Sequence, residues 1–390
     1  MPAIHPPPED DAAFLAEVRS FLAEALTPDL REAGRRTIGV HSDIAASREW
    51  RRRLYQRGWA APAWPTAYGG AGWTARQRYL FDRECALNDA PVLFAGDLRS
   101  LGPLLIEQGT EDQKARFLPA MLTGERVWCQ GFSEAGAGSD LAALSTRAMR
   151  EGDAYIVNGS KLWTTGAQHA DYMYALVRTA EFDRPQKGIT FLLIEMKTPG
   201  VTVTPIPDLA GQAEFNQVFF DQVRVSVENR VGGENDGWTM AKRLMALARG
   251  NNTPAALIRR GLNRARQACA RTAVEPALRA RLAELEIALS SLEAFELAAL
   301  PSGLAPADRP EVSSMLKITA SELNQQVAEL ALAIEGPYGA AALAAQGLAG
   351  EDVDHGALVM AQHLALRAAT IYSGASETQR NIIAARLLKG

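Results

Sequence analysis

Two short motifs contain the residues of this chain that are best suited to chemistry. Residues 128–140 read WCQGFSEAGAGSD, and residues 158–165 read NGSKLWTT. Glycine and alanine let backbone N–H groups approach an extended ligand closely. A tryptophan flanked by hydroxyl groups offers a flat wall with hydrogen-bonding groups at its edge. A planar, oxygen-rich cofactor suits such a site.

The two motifs resemble the flavin-binding signature of the acyl-CoA dehydrogenase family, and the resemblance runs from about Phe14 to the last predicted helix. It is closest to bacterial members similar to the large subunit of pimeloyl-CoA dehydrogenase. The resemblance implies FAD as cofactor, an acyl-CoA thioester as substrate and a flavoprotein as electron acceptor. It also implies a homodimer, a homotetramer or a heteromer with a related subunit.

The same resemblance assigns the binding positions. It places residues of both motifs against the isoalloxazine ring and the pyrophosphate, and it adds residues from the C-terminal region. The cofactor-binding residues are Gln130, Phe132, Ser133, Gly138, Ser139, Trp163, Thr165, Gly336 and Glu377. The substrate-binding residues are Ser139, Ala248, Arg249 and Ser373. From the residues alone, Trp163 has the alternative of a core aromatic, and Ser133 and Ser139 have the alternative of turn capping.

The chain lacks a carboxylate at both positions where the family carries its catalytic base. Removal of the α-proton from a thioester needs a carboxylate aimed at that carbon while a hydride leaves the β-carbon. The two family positions correspond here to Ser373 and Ala248. A serine hydroxyl is a far weaker base than a carboxylate unless another group activates it. The catalytic residues are therefore unknown, with Asp97 as a candidate base and a surface pair of Asp97 with Arg99 as its alternative.

Three hypotheses for the function follow. The first is an FAD-dependent oxidoreductase that acts on the CH–CH bond of an acyl-CoA thioester. The second is a non-catalytic or half-site subunit that pairs with a related chain supplying the glutamate. The third keeps the fold and the flavin but uses them for another reaction, such as oxygen-dependent hydroxylation.

The apolar pattern predicts an α+β fold, mostly α. Apolar residues recur at helical spacing near the start of the chain and again in leucine stripes that follow Leu278 and Leu316. Short β-branched and aromatic runs occupy the middle. We predict an N-terminal α-helical domain at 1–126, a middle antiparallel β domain at 127–236 and a C-terminal four-helix bundle at 237–390. This order agrees with the architecture that the resemblance implies.

One long helix of the C-terminal region is predicted to be interrupted. Gly250 and two asparagines precede Pro254, where the resemblance implies a continuous helix. Proline lacks the N–H that would continue the helical hydrogen bonds, and glycine and asparagine are poor helix formers. We therefore predict a kink or break next to the acyl site.

Composition excludes several classes of protein. The chain has 390 residues, 47% of them hydrophobic, which is enough for a sizeable core. A net charge of -4 gives no basic surface for nucleic acid or anionic lipid. Cys85, Cys129 and Cys269 lie too far apart for a Cys-x-x-Cys metal or redox site, so we predict no metal. The chain has neither a signal-peptide pattern nor a long enough apolar run for a membrane span, and we expect a cytoplasmic location.

Overall fold

The computed structural model describes residues 9–248, 255–271, 274–300, 309–341 and 355–388. The chain forms two compact units. The sheet unit comprises Arg57–Gly70 and Ala95–Arg249. The helical unit comprises Met1–Gln56, Ala71–Phe94 and Gly250–Gly390. The three domain ranges read from the sequence stay a prediction.

Helices occur in both units. In chain order they are α1 (Glu9–Ala25), α2 (Pro28–Arg35), α3 (Ile44–Arg57), α4 (Ala75–Leu87), α5 (Gly102–Gln108), α6 (Glu111–Thr123), α7 (Gly237–Ala248), α8 (Ala255–Arg271), α9 (Pro276–Ala299), α10 (Pro310–Ala341), α11 (His355–Ala365) and α12 (Ser376–Leu387). Helices α5 to α7 belong to the sheet unit. A π-helical turn, Asp97–Leu101, leads directly into α5.

The sheet unit is built around a sheet of eight strands. The strands are β1 (Trp128–Gly131), β2 (Arg147–Glu151), β3 (Ala154–Thr165), β4 (Tyr172–Arg178), β5 (Ile189–Glu195), β6 (Val201–Ile206), β7 (Phe215–Ser226) and β8 (Arg230–Val231). Their order is β6-β7-β3-β2-β4-β5-β8, and β1 pairs with β4.

Most strand pairs are antiparallel, as the sequence predicted. Strand β1, however, runs parallel to β4, and β2 meets β4 in a parallel bridge. A parallel pair needs a long connection between its strands. The β2–β3 hairpin and the turn after it supply that connection between β1 and β4.

Burial follows the residue pattern of each strand. Strands β4 and β5 are buried along almost their whole length, which suits their continuous apolar runs. Strand β7 alternates between buried and exposed residues, so that one face packs and the other does not. The core of the sheet includes Tyr155, Val157, Ala175, Leu192 and Val218.

The leucine stripes lie in the core of the helical unit, as predicted. Leu285, Leu289 and Leu292 of α9 pack with Leu323 and Leu330 of α10. Helix α8 contributes to the same core, and α11 and α12 pack against α10. The predicted helical start of the chain is confirmed as well, because α1 buries its apolar residues at helical spacing.

Helix α10 changes direction at Gly336. The backbone there has φ 58° and ψ −140°, a conformation that is strained for any residue with a Cβ atom. Pro337 follows and cannot donate a helical hydrogen bond. The two residues together account for the kink.

The predicted break at residues 250–254 lies outside the described residues. Helix α8 begins at Ala255, whose backbone N–H donates to Oε1 of Glu296 on α9 at 2.9 Å. A carboxylate at that point caps the N-terminus of α8 from a neighbouring helix. Burial, aided by the nearby Glu293 and Asp82, raises the pKa of Glu296 to about 7, although the Ala255 N–H acts in the opposite direction.

This pKa predicts that Glu296→Gln stabilises the protein at alkaline pH. The folded state holds the Glu296 proton more tightly than the unfolded state, so stability falls as pH rises from about 4.5 to about 7. Glutamine keeps an acceptor for the Ala255 N–H and removes the buried charge. We expect the free energy of unfolding at pH 8, measured in urea, to increase by about 1–3 kcal/mol.

The control is Glu293→Gln, because Glu293 pairs with Arg259 at 2.7 Å. That substitution relieves the repulsion between Glu293 and Glu296 but also breaks the ion pair with Arg259, so no net gain is expected at pH 8. A Glu296→Gln protein that is less stable than wild type at pH 8 would contradict the prediction.

Candidate functional site

The first motif forms strand β1 and the loop after it. Gln130 is exposed on β1, whereas Phe132 is buried and Ser133 is half-buried. The carbonyl of Ser133 accepts the backbone N–H of Leu162 at 2.8 Å. This bond joins the loop to strand β3 directly before Trp163. The two sequence motifs are therefore neighbours within the sheet unit.

Trp163 is held outward by an irregularity in strand β3. The pairing of β3 with β7 shifts register between Lys161 and Thr164. Trp163 lies in this irregularity with a φ of 59°, and its side chain is 58% exposed. Irregularities of this kind redirect side chains near functional sites. The alternative of a core aromatic is therefore wrong. The indole is largely exposed, and it makes an edge contact with Phe215 at a centroid distance of 6.2 Å.

A buried ion pair joins the two motifs. Lys161 Nζ lies 2.7 Å from Oε1 of Glu134, with the lysine side chain fully buried and the glutamate side chain 6% exposed. The Glu134 carboxylate also accepts the backbone N–H groups of Ser145 and Thr146. Lys161 donates to the carbonyl of Phe132 as well. The pair therefore fixes both ends of the loop after β1.

Sequence reasoning missed this pair, although both residues lie inside the motifs. Burial by itself would raise the pKa of Glu134, but the Lys161 charge and the hydrogen bonds outweigh it and hold the pKa at about 2. Burial lowers the pKa of Lys161 to about 8, against the attraction of Glu134. Both groups are thus charged at neutral pH.

The glycine turn of the first motif has an accessible backbone. Glu134 and Ala137 exchange two backbone hydrogen bonds that close a tight turn. Gly136, Gly138 and Ser139 are exposed, and a Cβ atom added to either glycine would meet nothing within 4 Å. An accessible backbone of this kind is what a phosphate or pyrophosphate group requires.

The residues present fit a flavin. The exposed indole of Trp163 offers a surface for a planar ring, and the exposed amide of Gln130 lies on the strand next to the same loop. Thr165, half-buried, ends strand β3 two positions after Trp163. The individual contacts of Gln130, Phe132, Ser133, Gly138, Ser139, Trp163 and Thr165 with FAD stay predictions.

The C-terminal site residues lie in the helical unit. Ser373 is exposed, with a φ of 54°, and Gly374 follows with a φ of 89°. Glu377 is exposed in the first turn of α12. Gly336 is the kink residue of α10. The structure thus places these residues on a different unit from the two motifs, and their roles at the cofactor and the substrate stay predictions.

Two substrate-binding predictions fall at the edge of the described residues. Ala248 is the last residue of α7, and the structure describes its backbone only. Arg249 lies outside the described residues. Both assignments stay predictions.

Asp97 is an interior residue. It is 2% exposed and begins the π-helical turn. The alternative of a surface pair with Arg99 is wrong, because the Asp97 side chain is buried whereas Arg99 is exposed. Its role as a substitute base is a prediction that stays open.

No group of three or more His, Cys, Asp or Glu among the described residues is arranged to hold a metal ion. Within the same part of the chain, no helix is both long and apolar enough to cross a membrane.

Family models match most of the chain in three consecutive parts. The acyl-CoA dehydrogenase N-terminal domain matches residues 8–125, the middle domain matches residues 129–223, and the C-terminal domain matches residues 235–388. The acyl-CoA dehydrogenase IpdE1 of Mycobacterium tuberculosis is 34% identical over 391 residues, covering 97% of this chain and 98% of that protein. IpdE1 of Mycolicibacterium smegmatis is also 34% identical, with 96% of each chain covered.

Solved structures agree with this result. A crystal structure of the ChsE4-ChsE5 complex from Mycobacterium tuberculosis has a TM-score of 0.80 and 29% identity, covering 100% of this chain and 99% of that one. A steroid ACAD described as Tcur3481-Tcur3483 has a TM-score of 0.80 and 25% identity, covering 99% and 98% of the two chains. This protein therefore belongs to the acyl-CoA dehydrogenase family of FAD-dependent oxidoreductases, because it is 34% identical to IpdE1 along almost the whole chain and matches all three domain models.

Proposed function

We propose that this chain is the flavin-binding subunit of a two-chain acyl-CoA dehydrogenase, in which a related chain supplies the catalytic carboxylate. The observation that carries the proposal is the combination of two intact flavin motifs with Ser373 and Ala248 at the family's two base positions. A chain that keeps its cofactor site but lacks the base needs the base from elsewhere.

The comparisons support a two-chain assembly. The ChsE4-ChsE5 structure is described as a complex of two proteins, and Tcur3481-Tcur3483 is named as a pair. Both resemble this chain over almost its full length. Because one of them is described as a steroid ACAD, a bulky polycyclic acyl group is included in the proposed substrate class.

The proposed reaction is α,β-dehydrogenation of an acyl-CoA thioester. The partner chain's carboxylate takes the α-proton, and the β-carbon loses a hydride to give the α,β-unsaturated thioester. FAD would supply the hydride acceptor at this site, and an electron-acceptor flavoprotein would be the oxidant that completes the cycle. In this chain, Trp163, Gln130 and the loop held by the Glu134–Lys161 pair would hold the cofactor. Ser139 and Arg249 would contact the substrate.

The proposal is tested by purifying the chain alone and together with a homologous acyl-CoA dehydrogenase chain from the same genome. The visible absorption of FAD reports cofactor binding, and anaerobic bleaching with linear, branched and polycyclic acyl-CoA thioesters reports dehydrogenation. We expect the chain alone to resist bleaching, and the pair to co-purify, to be yellow and to bleach.

Other outcomes would overturn the proposal. A pair that stays colourless after reconstitution with FAD would show that the proposed flavin site does not bind FAD. Full bleaching of the chain alone would show that no second subunit is needed to supply the base. Oxygen uptake with a flavin reductase, but no bleaching by any thioester, would instead favour the hydroxylation hypothesis.

A further inference from the structure

Strands β1 and β4 bring a buried phenol hydroxyl next to an exposed amide. Gln130 and Tyr174 lie opposite each other in the parallel pair. The hydroxyl of Tyr174 donates to Oε1 of Gln130 at 3.2 Å. Tyr174 is 3% exposed, whereas Gln130 is exposed. The contact therefore connects the interior of the sheet unit with its surface at the first motif.

Several neighbours hold the Tyr174 ring in place. The ring lies parallel to that of Phe191 at a centroid distance of 6.2 Å and meets the edge of Phe132 at 6.0 Å. At Gly96, just before the π-helical turn, a Cβ atom would lie 3.3 Å from the Tyr174 hydroxyl. The turn begins with a hydrogen bond from Ser100 Oγ to the Gly96 carbonyl at 2.5 Å. The hydroxyl is thus confined between strand β4 and the π-helical turn, and such turns are frequent at functional sites.

The hydrogen bond from Tyr174 fixes the orientation of the Gln130 side-chain amide. A carboxamide carries an acceptor oxygen and an NH₂ group that donates. Because the Tyr174 hydroxyl engages the oxygen, the NH₂ group is the end left for a ligand. Burial raises the pKa of Tyr174, so the hydroxyl keeps its proton and stays a donor.

We propose that Tyr174 is a positioning residue that holds the Gln130 amide with its NH₂ end outward, as a hydrogen-bond donor for the flavin. The inference rests on the proposed flavin site. A donor aimed where negative charge develops favours reduction of the ring. Without Tyr174, the amide is free to rotate and present either end.

The test is Tyr174→Phe, which removes the hydroxyl and keeps the ring. We expect the dissociation constant for FAD, measured by quenching of FAD fluorescence, to rise about three- to tenfold, the effect of one hydrogen bond. We also expect the midpoint potential of the bound flavin to become more negative. The phenylalanine ring keeps the contacts with Phe132 and Phe191, so folding measured by circular dichroism is expected to change little.

The matched control is Tyr172→Phe. Tyr172 is buried on the same strand two positions earlier, and Arg126 donates to its hydroxyl at 2.8 Å. Its removal is expected to leave the FAD dissociation constant and the potential unchanged. In a Gln130→Ala background, Tyr174→Phe is expected to have no further effect, because the two residues act as one unit.

Three results would overturn the inference. They are an unchanged affinity and potential in Tyr174→Phe, an equal change in Tyr172→Phe, and an undiminished effect of Tyr174→Phe in the Gln130→Ala background. Failure of the wild-type protein to bind FAD, alone or with its partner, would overturn the flavin site itself. That result is distinguishable because it is seen before any variant is made.

Discussion

Lys161→Met is expected to lower the free energy of unfolding by about 3–5 kcal/mol, because it leaves the Glu134 carboxylate as an uncompensated buried charge. The two residues form an ion pair at 2.7 Å with almost no exposure of either side chain. Glu134 also holds the backbone of Ser145 and Thr146, so it cannot turn toward water without breaking those bonds. Urea unfolding followed by circular dichroism measures the change.

The expected loss extends to the cofactor. Lys161 donates to the carbonyl of Phe132, and the next residue of the loop binds strand β3. Without the hydrogen bond from Lys161 to the Phe132 carbonyl, the loop would no longer fix the position of the glycine turn relative to Trp163. We therefore expect Lys161→Met to bind FAD more weakly even under conditions in which it is folded.

The control for this prediction is Lys114→Met. Lys114 pairs with Glu111 at a similar distance of 2.9 Å, and its side chain is 14% exposed, but the Glu111 side chain is 86% exposed, so that carboxylate stays hydrated when the lysine is removed. Exposed ion pairs contribute little to stability, so this variant is expected to unfold nearly as wild type does. In a second variant, Glu134→Gln added to Lys161→Met removes the unpaired charge and is expected to recover part of the loss. Equal stability of the Lys161 and Lys114 variants would contradict the role of the buried pair.

Ser373→Glu is expected to raise the rate of thioester-dependent flavin reduction in the isolated chain by about 10²–10⁴-fold, the usual contribution of a positioned general base. The substitution places a carboxylate at one of the two positions that the resemblance to the family assigns to its glutamate. Ser373 already adopts a φ of 54°, so glutamate inherits a backbone strain that is present in the native chain. Stopped-flow anaerobic bleaching with acyl-CoA thioesters measures the gain.

Ser373→Gln controls for size and polarity without adding a base. If the glutamate and glutamine variants reduce the flavin equally slowly while both bind FAD, position 373 is not within reach of the substrate. Ala248→Glu then tests the second family position in the same assay. Failure of both variants to accelerate flavin reduction in a flavin-containing protein would contradict the proposal that the isolated chain lacks only a base.

The sequence by itself determined the elements and the family. Apolar spacing in α1, α9 and α10 indicated helices, because residues three and four positions apart share one face of a helix. The β-branched runs of β5 and β7 indicated strands for an equally local reason. The glycine and tryptophan motifs were recognisable because their residues are close together in the chain.

Only the tertiary structure decided how those residues meet. Glu134 and Lys161 are 27 positions apart, and Gln130 and Tyr174 are 44 apart, so no local pattern pairs them. Asp97 belongs to a polar stretch, yet packing buries it, and an irregularity in β3 exposes Trp163. Strand register sets such contacts, and a shift of one residue moves every side chain to the opposite face. Register depends on the packing of the entire sheet, which no single segment of the sequence contains.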